Sequence, residues 1–433
     1  MSEAGRVFAG ADQSLHAGWV SIEGAAQVLR PPRDGLEHLR GDQLEAQTLD
    51  PGAVAVRDGL IAEFGAVVGG DAATRIDASG CAVLPGFVDC HTHLPFVGWR
   101  AQEYQQKLSG VPYEQISRAG GGIAASARAL RETADDDVLG QAAALAKEML
   151  AAGTTTFECK SGYGLSREGE MRALVLARAL EIRVAQSTVS TALLAHAVPP
   201  EHTADSWMEV VQAMLGEVIA AGSVTALDIF VESIAFSVDH LQLMGELAAA
   251  AGLALRCHVE QLSCMRSVPI ALAAGARSVD HLSMLSAQDV APLAAAPCAA
   301  VLLPAAEFLG DEHRAPGRAL LDAGALVALA TDANPGTAPV VSMPVVIGLG
   351  SRLYGMTIRE ALGAVTLNAA WVLGLAHDRG SIEVGKRADL LLLDGPAEML
   401  PYRFARNPVA IALVGGEVAY VRDRAAADRI VRG

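Results

Sequence analysis

The sequence predicts an α/β fold: a closed (β/α)8, TIM-like barrel with a small β-sandwich domain built from both chain termini. Two observations predict it. Eight short apolar runs alternate with segments of helical length between Cys81 and Asp332, and β-hairpin patterns flank this region on both sides. Continuous apolar strands separated by helices are typical of a parallel sheet, and eight such repeats can close into a barrel. We therefore expect residues 1–83 and 379–433 to form the sandwich and residues 84–378 the barrel.

The first element with a clear pattern is a hairpin near the N-terminus. The runs Ala53–Val56 and Leu60–Phe64 flank Asp58-Gly59, and Asp-Gly between apolar runs is a strong signal for a two-residue turn. Residues 1–50 are poorly patterned, and they suggest no function.

The barrel strands are the apolar runs themselves, and we expect them at Ala82–His93, Thr154–Ser161, Ser187–His196, Ala226–Glu232, Leu253–His258, Arg277–His281, Ala299–Pro304 and Leu326–Asp332. The segments between them have the composition of amphipathic helices. The clearest expected helices are Asp136–Ala152, Arg167–Ala179, Ser206–Ala221, Val238–Ala251 and Arg266–Ala274, and a further helical stretch, Thr357–Leu375, follows the last strand.

The C-terminal part returns to β-structure. A strand is expected at Leu390–Leu393, and Val409–Val414 and Glu417–Val421 flank Gly415-Gly416 as the second hairpin. Because the chain begins and ends with such patterns, one sandwich shared by both termini is the simplest arrangement.

Composition narrows the possible partners. The 433 residues carry 33 Lys and Arg against 49 Asp and Glu, a net charge of −16, which argues against nucleic acid binding because phosphate backbones require clustered Lys and Arg. The six cysteines are scattered, as expected for reduced thiols in a cytosolic protein. Residues 1–10 lack a signal-peptide pattern, and every apolar run is shorter than the about 20 residues of a membrane span. We therefore expect a cytoplasmic protein without membrane contact.

Histidines close several of the predicted strands, and active sites of such barrels lie at the carboxyl ends of the strands. His91 and His93 are two residues apart, so on an extended strand both imidazoles point to one side. Of the 11 histidines in the chain, those at predicted strand ends are His91, His93, His196, His258 and His281. Hydrogen-bonded core residues are the alternative for each one taken singly, but their shared position at one rim favours a site.

Three histidines and an aspartate, His91, His93, His258 and Asp332, form a ligand set for a catalytic metal. Three nitrogens and one oxygen suit zinc, iron or manganese and leave a position open for water. Bound water then has a pKa of about 7, so hydroxide is available at neutral pH. His281 remains to hydrogen-bond the water or the substrate.

The order of these motifs resembles the amidohydrolase superfamily, and narrower phrases resemble its imidazolonepropionase family. The narrow phrases are Gly120-Gly121-Gly122-Ile123, Lys160-Ser161-Gly162-Tyr163-Gly164-Leu165, His196-Ala197-Val198-Pro199-Pro200-Glu201, Ala235-Phe236-Ser237, Ala330-Thr331-Asp332-Ala333-Asn334-Pro335-Gly336-Thr337 and Pro401-Tyr402-Arg403-Phe404. The resemblance runs from about Gly52 to the C-terminus.

The resemblance implies hydrolysis of the cyclic amide bond of 4-imidazolone-5-propanoate to N-formimidoyl-L-glutamate, a step of histidine degradation. It implies one divalent or trivalent metal ion, Zn or Fe, bound by His91, His93, His258 and Asp332, and it suggests a homodimer. The positions that match family substrate-binding residues are Arg100, Tyr163, His196, Asn334, Gly336 and Thr337.

The chemistry of the residues agrees with this implication. The substrate carries a carboxylate, for which the guanidinium of Arg100 is a natural planar partner. We expect metal-assisted hydrolysis in which His281 and the metal stabilise the oxyanion, while Asp332 takes the proton of the water and returns it to the leaving nitrogen. The glycine run at 120–122 does not follow a strand, and we expect it to be a flexible loop over the site.

Three departures from the family pattern leave alternatives open. Many relatives in the superfamily have a proton-shuttling Glu where this chain has Gln261, so either Gln261 only orients the substrate or Glu260 or Asp332 moves the proton; we favour Asp332. Trp99 is either a surface aromatic or part of the pocket. The segment 230–234 also differs from the usual phrase.

These departures define the competing functions. The nearest is a sister amidohydrolase that acts on a related ring propionate, such as a hydantoin- or thiohydantoin-propionate. A deaminase of the same superfamily is disfavoured by Gln261, because those enzymes need the Glu. A non-catalytic scaffold is disfavoured because all expected metal ligands are present.

Overall fold

The computed structural model describes residues 6–7, 18–70, 72–222, 224–310 and 313–432. The N-terminal elements are β1 (Arg6–Val7), β2 (Val20–Arg30), α1 (Asp42–Glu45), β3 (Thr48–Arg57), β4 (Leu60–Gly65), β5 (Thr74–Asp77) and β6 (Ala82–Pro85). Strands β3 and β4 form the predicted hairpin, and Asp58 and Gly59 take the positive φ values, 52° and 80°, that a tight two-residue turn requires. Strand β2 lies in the stretch without a visible pattern, because two irregularities in its pairing with β3 disturb the alternation of side chains.

The second sheet is the barrel, and each of its eight described strands overlaps one of the eight predicted runs. The first run was predicted too long, because Ala82–Pro85 belongs to the mixed sheet and only Phe87–Asp89 to the barrel. They are β7 (Phe87–Asp89), β8 (Thr154–Lys160), β9 (Ser187–Ala195), β10 (Val224–Val231), β11 (Ala254–Val259), β12 (Ser278–His281), β13 (Ala299–Leu302) and β14 (Leu326–Leu329). Neighbouring strands pair in parallel in chain order. The predicted fold class is therefore confirmed.

The barrel closes beyond the ends of its first and last strands. Thr92 and Ala333 form an isolated parallel bridge. The backbone N–H of Asp332 donates to the carbonyl of His91 over 3.0 Å, and that of His93 donates to the carbonyl of Ala333 over 2.9 Å. The seam is thus made by the segments that carry three of the four predicted metal ligands.

Helices cover the barrel. They are α2 (Ala101–Leu108), α3 (Tyr113–Arg118), α4 (Gly122–Glu132), α5 (Asp135–Ala151), α6 (Arg167–Glu181), α7 (Ala204–Ala220), α8 (Val238–Ala251), α9 (Ser267–Ala273), α10 (Ala287–Ala295), α11 (Pro304–Gly310), α12 (Gly317–Asp322), α13 (Met343–Tyr354), α14 (Ile358–Val365) and α15 (Leu367–Val372). The five clearest predictions correspond to α5–α9. The predicted stretch Thr357–Leu375 is two helices, because the backbone of Thr366 leaves the helical region. Gly122, expected in a loop, is the first residue of α4.

The C-terminal elements complete the first sheet. They are β15 (Leu390–Leu393), α16 (Met399–Tyr402), β16 (Val409–Val414), β17 (Glu417–Val421), α17 (Arg424–Ala427) and β18 (Ile430–Arg432). Strands β16 and β17 form the second predicted hairpin around Gly415 and Gly416. Strand β15 pairs antiparallel with β6, so both ends of the chain share one mixed sheet of order β1-β17-β16-β15-β6-β2-β3-β4, with β5 beside β2 and β18.

The domain limits remain predictions, and β6 spans the predicted limit between residues 83 and 84. Apolar side chains fill the space between the barrel and its helices, and a separate apolar cluster lies against the mixed sheet. In the part of the chain that the structure describes, no helix has the length and apolar character needed to cross a bilayer.

Candidate active site

Four predicted ligands meet at the seam of the barrel. The Nε2 atom of His93 lies 3.2 Å from Oδ1 of Asp332, and Nε2 of His91 lies 3.5 Å from the same oxygen. The rings of His91 and His258 are 4.5 Å apart between centroids. One potential ligand atom from each of His91, His93 and Asp332 lies within 4.8 Å of the others, and the same holds for His91, His258 and His281. The structure therefore brings together all four predicted ligands, with His281 beside them.

The local backbone explains why these side chains converge. Strand β7 ends at Asp89, so His91 and His93 lie beyond it, but the bridge at Thr92 keeps the chain extended and leaves both imidazoles on one side. Asp332 and His281 take φ values of 55° and 80°, which turn the chain sharply where the strands end. Such positive φ values are uncommon for residues with a side chain and are often found at functional sites.

The electrostatic state of the cluster suits a metal ion. Burial holds the pKa of His91 and of His93 well below its ordinary value, so both imidazoles are neutral, the form that binds metal. Within the described chain, Nε2 of His91, Nε2 of His258 and Oδ2 of Asp332 are buried without a hydrogen-bond partner. Leaving such atoms unpaired costs about 1–3 kcal/mol each. A bound cation would satisfy all three, so these donors fit the metal that the sequence predicts.

Two buried carboxylates orient the histidines from behind. Oδ2 of Asp280 lies 2.6 Å from Nδ1 of His91, and Oδ1 of Asp228 lies 3.1 Å from Nδ1 of His258. A carboxylate at Nδ1 keeps that nitrogen protonated and leaves Nε2 as the ligand atom. The sequence analysis singled out neither Asp228 nor Asp280; a charged residue inside an otherwise apolar strand was the available signal.

Below the ligands lies a set of buried charges that we call the buried ionic network: Glu158, Lys160, Asp228, Arg256 and Asp280. Each is at most 1% exposed. Lys160 lies 2.6 Å from Asp228 and 3.0 Å from Glu158, and Arg256 contacts Glu158 and lies 3.0 Å from Asp280. Burial and Arg256 favour the neutral amine, but Asp228, Glu158 and Asp280 outweigh them and raise the pKa of Lys160. The two-residue spacings Glu158–Lys160 and Arg256–His258, which place each pair on one face of a strand, were the signal in the sequence.

A cavity of about 480 Å³ opens over the ligand cluster. The predicted site residues that line it are His93, Arg100, Tyr163, His196, His258, Gln261, His281, Asp332, Asn334 and Thr337. His313 and Phe230, which the sequence analysis did not single out, also line it. His91 lies beneath this wall. Gly336 is the one predicted substrate-binding residue that does not line the cavity.

Arg100 lines this cavity, and Glu103 is the acidic neighbour of its guanidinium. It is the residue before α2, its side chain is 8% exposed, and its Nε lies 3.6 Å from the carboxylate of Glu103. The Nε and Nη1 atoms are buried without a hydrogen-bond partner among the described residues. Backbone atoms fix its position, since the N–H of Arg100 donates to the carbonyl of Pro335 over 2.8 Å. A guanidinium in the cavity wall suits a carboxylate ligand.

The loop after β8 forms one wall of the cavity. His196 stacks on His93 with centroids 5.1 Å apart and places Nδ1 3.0 Å from the carbonyl of Gly162. Buried Glu170 accepts hydrogen bonds from the backbone N–H groups of Gly162 at 2.8 Å and Gly164 at 2.7 Å. Tyr163 lies between those two residues, so this carboxylate fixes the segment that carries it.

Asn334 shapes the loop after β14. Its Oδ1 accepts from the N–H groups of Gly336 at 2.9 Å and Thr337 at 2.7 Å, and its Nδ2 donates to the carbonyl of Asp332 at 2.7 Å. Its amide group therefore holds the loop next to Asp332, a predicted ligand.

The structure separates the roles of Gln261 and Glu260. Gln261 lines the cavity, whereas Glu260 is fully buried and accepts hydrogen bonds from the backbone N–H groups of Met265 at 3.1 Å and Ser267 at 2.7 Å. Glu260 thus holds the loop and does not line the cavity. Trp99 is 51% exposed and packs on Phe96 outside the cavity wall, which identifies it as a surface aromatic.

Sequences of known proteins resemble this chain over most of its length. The model of the Amidohydrolase family matches residues 82–421. The chain is 42% identical over 401 residues to an imidazolonepropionase of Cupriavidus taiwanensis, covering 90% of this chain and 96% of that protein. It is 40% identical over 389 residues to one of Sphingopyxis alaskensis, covering 88% and 96%. It is 39% identical over 399 residues to one of Caulobacter vibrioides, covering 90% and 97%.

Solved structures share the fold at much lower identity. A triazine hydrolase variant has a TM-score of 0.71 and 18% identity, covering 92% of this chain and 94% of its own. An adenosine deaminase from Xanthomonas campestris with bound zinc has a TM-score of 0.66 and 19% identity, covering 95% and 96%. At this identity the likeness concerns the fold alone.

Proposed function

Because the chain belongs to the amidohydrolase family and, within it, to the imidazolonepropionases, we propose that it hydrolyses the cyclic amide bond of 4-imidazolone-5-propanoate to N-formimidoyl-L-glutamate. One observation carries the proposal: Arg100 and the histidine–aspartate cluster line one cavity of about 480 Å³. The substrate has both groups that such a cavity would recognise, a carboxylate and a ring amide.

The metal is proposed to be a single zinc or iron ion. His91, His93, His258 and Asp332 would hold it, which is supported by the neutral imidazoles and the unpaired ligand atoms. When bound, such an ion polarises a carbonyl group and lowers the pKa of water to about 7. Asp280 and Asp228 would keep two of the imidazoles correctly turned.

The remaining steps are assigned to residues of the cavity. Arg100 binds the propionate, and Tyr163, His196 and Thr337 surround the substrate. Gly336 contributes indirectly, because it lies against the guanidinium of Arg100 in the loop held by Asn334. Gln261 orients the ring by hydrogen bonds, because an amide donates and accepts but cannot exchange a proton near neutral pH.

Two residues complete the proposed mechanism. Asp332 takes the proton of the attacking water and returns it to the leaving ring nitrogen, and the positive φ of Asp332 supports this by turning its carboxylate into the cavity wall. His281, which lines the same wall, donates a hydrogen bond to the developing oxyanion.

Product analysis tests the proposal. Purified, metal-replete protein is incubated with imidazolonepropanoate made in place from urocanate, and the product is identified by mass spectrometry. We expect formimidoylglutamate, its loss in His258→Ala, and in Arg100→Lys a fall in kcat/KM of about 10- to 100-fold, because lysine keeps the charge but loses the planar fork. Arg131→Lys, at an exposed position, is the matched control and should match the parent protein.

Full metal occupancy without turnover would overturn the proposal, and turnover of hydantoin- or thiohydantoin-propionate instead would support the sister amidohydrolase. No feature of the cavity favours that second function. The homodimer stays a prediction, which size-exclusion chromatography with light scattering would check.

A further inference from the structure

We propose that Lys160 is a positioning residue for the metal centre. It fixes two of the histidine ligands through two chains of contacts in the buried ionic network, which we call its two arms. The inference rests on the metal site of the proposed function and concerns a residue to which that function gives no role. Lys160 is 1% exposed at the end of β8 and lies below the cavity rather than in its wall.

The first arm leads to His258. The Nζ atom of Lys160 donates a hydrogen bond to Oδ2 of Asp228 over 2.6 Å, and Oδ1 of Asp228 lies 3.1 Å from Nδ1 of His258. The backbone N–H of Ile229 donates to the same Oδ1 over 2.7 Å. Since both oxygens of Asp228 are thus engaged, its carboxylate plane is set by Lys160 on one side and determines the orientation of His258 on the other.

The second arm leads to His91. Lys160 lies 3.0 Å from Oε2 of Glu158, whose Oε1 contacts Arg256. Arg256 then donates to Oδ2 of Asp280 over 3.0 Å, and that oxygen lies 2.6 Å from Nδ1 of His91. A planar guanidinium with several donors is suited to join two carboxylates in a fixed geometry.

Charge explains why a lysine is needed at the junction. The network contains three carboxylates, Glu158, Asp228 and Asp280, and two cations, Lys160 and Arg256, all buried. A buried carboxylate that loses its cation is strongly destabilised and reorganises. Without Lys160, Asp228 would keep only the imidazole and one backbone N–H as partners, so its hold on His258 would change. Carboxylates that orient ligand histidines commonly affect metal affinity 10- to 100-fold when they are altered.

Metal affinity is the decisive measurement. Apo-protein prepared by chelation is titrated with Zn²⁺ alone in competition with a chromophoric chelator, for the parent chain, Lys160→Met, Asp228→Asn and the double variant. We expect the dissociation constant to rise 10- to 100-fold in Lys160→Met. The double variant should be no weaker than the weaker single variant, because both changes act through one arm. The visible absorption of the Co²⁺ form, which reports ligand geometry, should change in Lys160→Met.

The matched control is Lys386→Met. Lys386 is another buried lysine, 3.0 Å from Glu383 and donating to the carbonyl of Ala376 over 2.7 Å, but it precedes β15 outside the site. Its loss should destabilise the protein and leave the zinc dissociation constant unchanged. If Lys160→Met does not fold, Lys160→Arg takes its place: it keeps the charge but changes the geometry of the contacts to Asp228 and Glu158, and a rise in the dissociation constant is still expected.

The outcomes separate this inference from the proposed function. A parent protein that does not bind zinc or iron would overturn the metal site and the inference with it. A parent protein that binds while Lys160→Met binds within twofold of it would overturn the role of Lys160 alone. The role of Lys160 would also be overturned if the effects of Lys160→Met and Asp228→Asn on the zinc dissociation constant multiplied in the double variant. The two residues would then not act through the same chain of contacts.

Discussion

The guanidinium of Arg100 occupies the space that a side chain at Gly336 would need. A Cβ atom built on Gly336 would overlap Nη2, Cζ and Nε of Arg100. The two residues come from loops after the first and last barrel strands and are joined by the hydrogen bond from the N–H of Arg100 to the carbonyl of Pro335. The absence of a side chain at Gly336 thus defines where the guanidinium lies.

Gly336→Ala is therefore expected to displace the guanidinium of Arg100 and weaken binding of the substrate carboxylate. We predict a rise in KM of about 10-fold or more, since one charge-assisted hydrogen bond contributes about 1.5–3 kcal/mol. Steady-state kinetics measure it. Gly140→Ala in α5, where a Cβ meets no atom within 4 Å, is the control and should leave KM unchanged. An unchanged KM in Gly336→Ala would contradict the placement of the carboxylate at Arg100.

Substitution of Glu260 is expected to affect stability, whereas substitution of Gln261 is expected to affect activity. Glu260→Gln should lower the free energy of unfolding by about 1–3 kcal/mol, because the amide cannot accept all the hydrogen bonds from Met265 and Ser267, and should leave the pH profile of kcat/KM unchanged. Gln261→Ala should instead lower kcat/KM about 10-fold at nearly unchanged stability. Urea unfolding and pH-dependent kinetics distinguish the two. A pH profile that shifts in Glu260→Gln would assign the proton transfer to Glu260 after all.

Glu307 in α11 is expected to make stability depend on pH. Burial outweighs its hydrogen bonds from the N–H of Ala315 and the hydroxyl of Ser283 and raises the pKa of Glu307 to about 7. The folded state therefore binds this proton more tightly than the unfolded state, whose pKa is about 4.3. The contribution of Glu307 to stability is therefore fully present below the pKa of the unfolded state. It is lost as the pH rises from there to about 7, the pKa of the folded state.

The comparison that checks this uses Glu307→Gln, which does not titrate. The free energy of unfolding of the variant minus that of the parent protein should increase from pH 5 to pH 8, by up to about 3 kcal/mol. Urea unfolding at both pH values measures the gain. The exposed Glu168→Gln should show no such gain, and an equal pH dependence of the parent and Glu307→Gln would contradict the prediction.

Removal of the metal is expected to destabilise the protein. A ligand that binds only the folded state adds about 4 kcal/mol to the free energy of unfolding at 1,000 times its dissociation constant. Chelation should therefore lower the Tm of the parent protein clearly and that of His258→Ala much less. Differential scanning calorimetry with and without chelator measures both shifts, and elemental analysis of the protein as purified identifies zinc or iron. Equal shifts in the two proteins would place the ion elsewhere.

The sequence predicted the barrel well because its strands are buried on both faces and appear as uninterrupted apolar runs, such as Leu326–Leu329. It also predicted which polar residues meet, since the carboxyl ends of parallel strands share one rim. It did not predict the short extent of β7. His91 and His93 converge because the bridge between Thr92 and Ala333 keeps the chain extended, and that contact joins residues far apart in sequence.

The supporting residues were harder to predict for a different reason. Asp228 and Arg256 each lie in an apolar strand, where a charge signals a partner but not which one. The partners come from strands β8, β11 and β12, so only the packed barrel identifies them. Asn334 shows the same limit, because its motif predicted a substrate contact and the structure adds hydrogen bonds that form its own loop.

The closure of the barrel at its ligand-bearing seam has a consequence for biosynthesis. Asp332 is residue 332 of 433, while His91 and His93 lie in the first quarter of the chain. During translation the contacts that close the barrel therefore cannot form until the eighth strand has been synthesised. A chain that ends before Asp332 would therefore lack the bridge between Thr92 and Ala333 that closes the barrel.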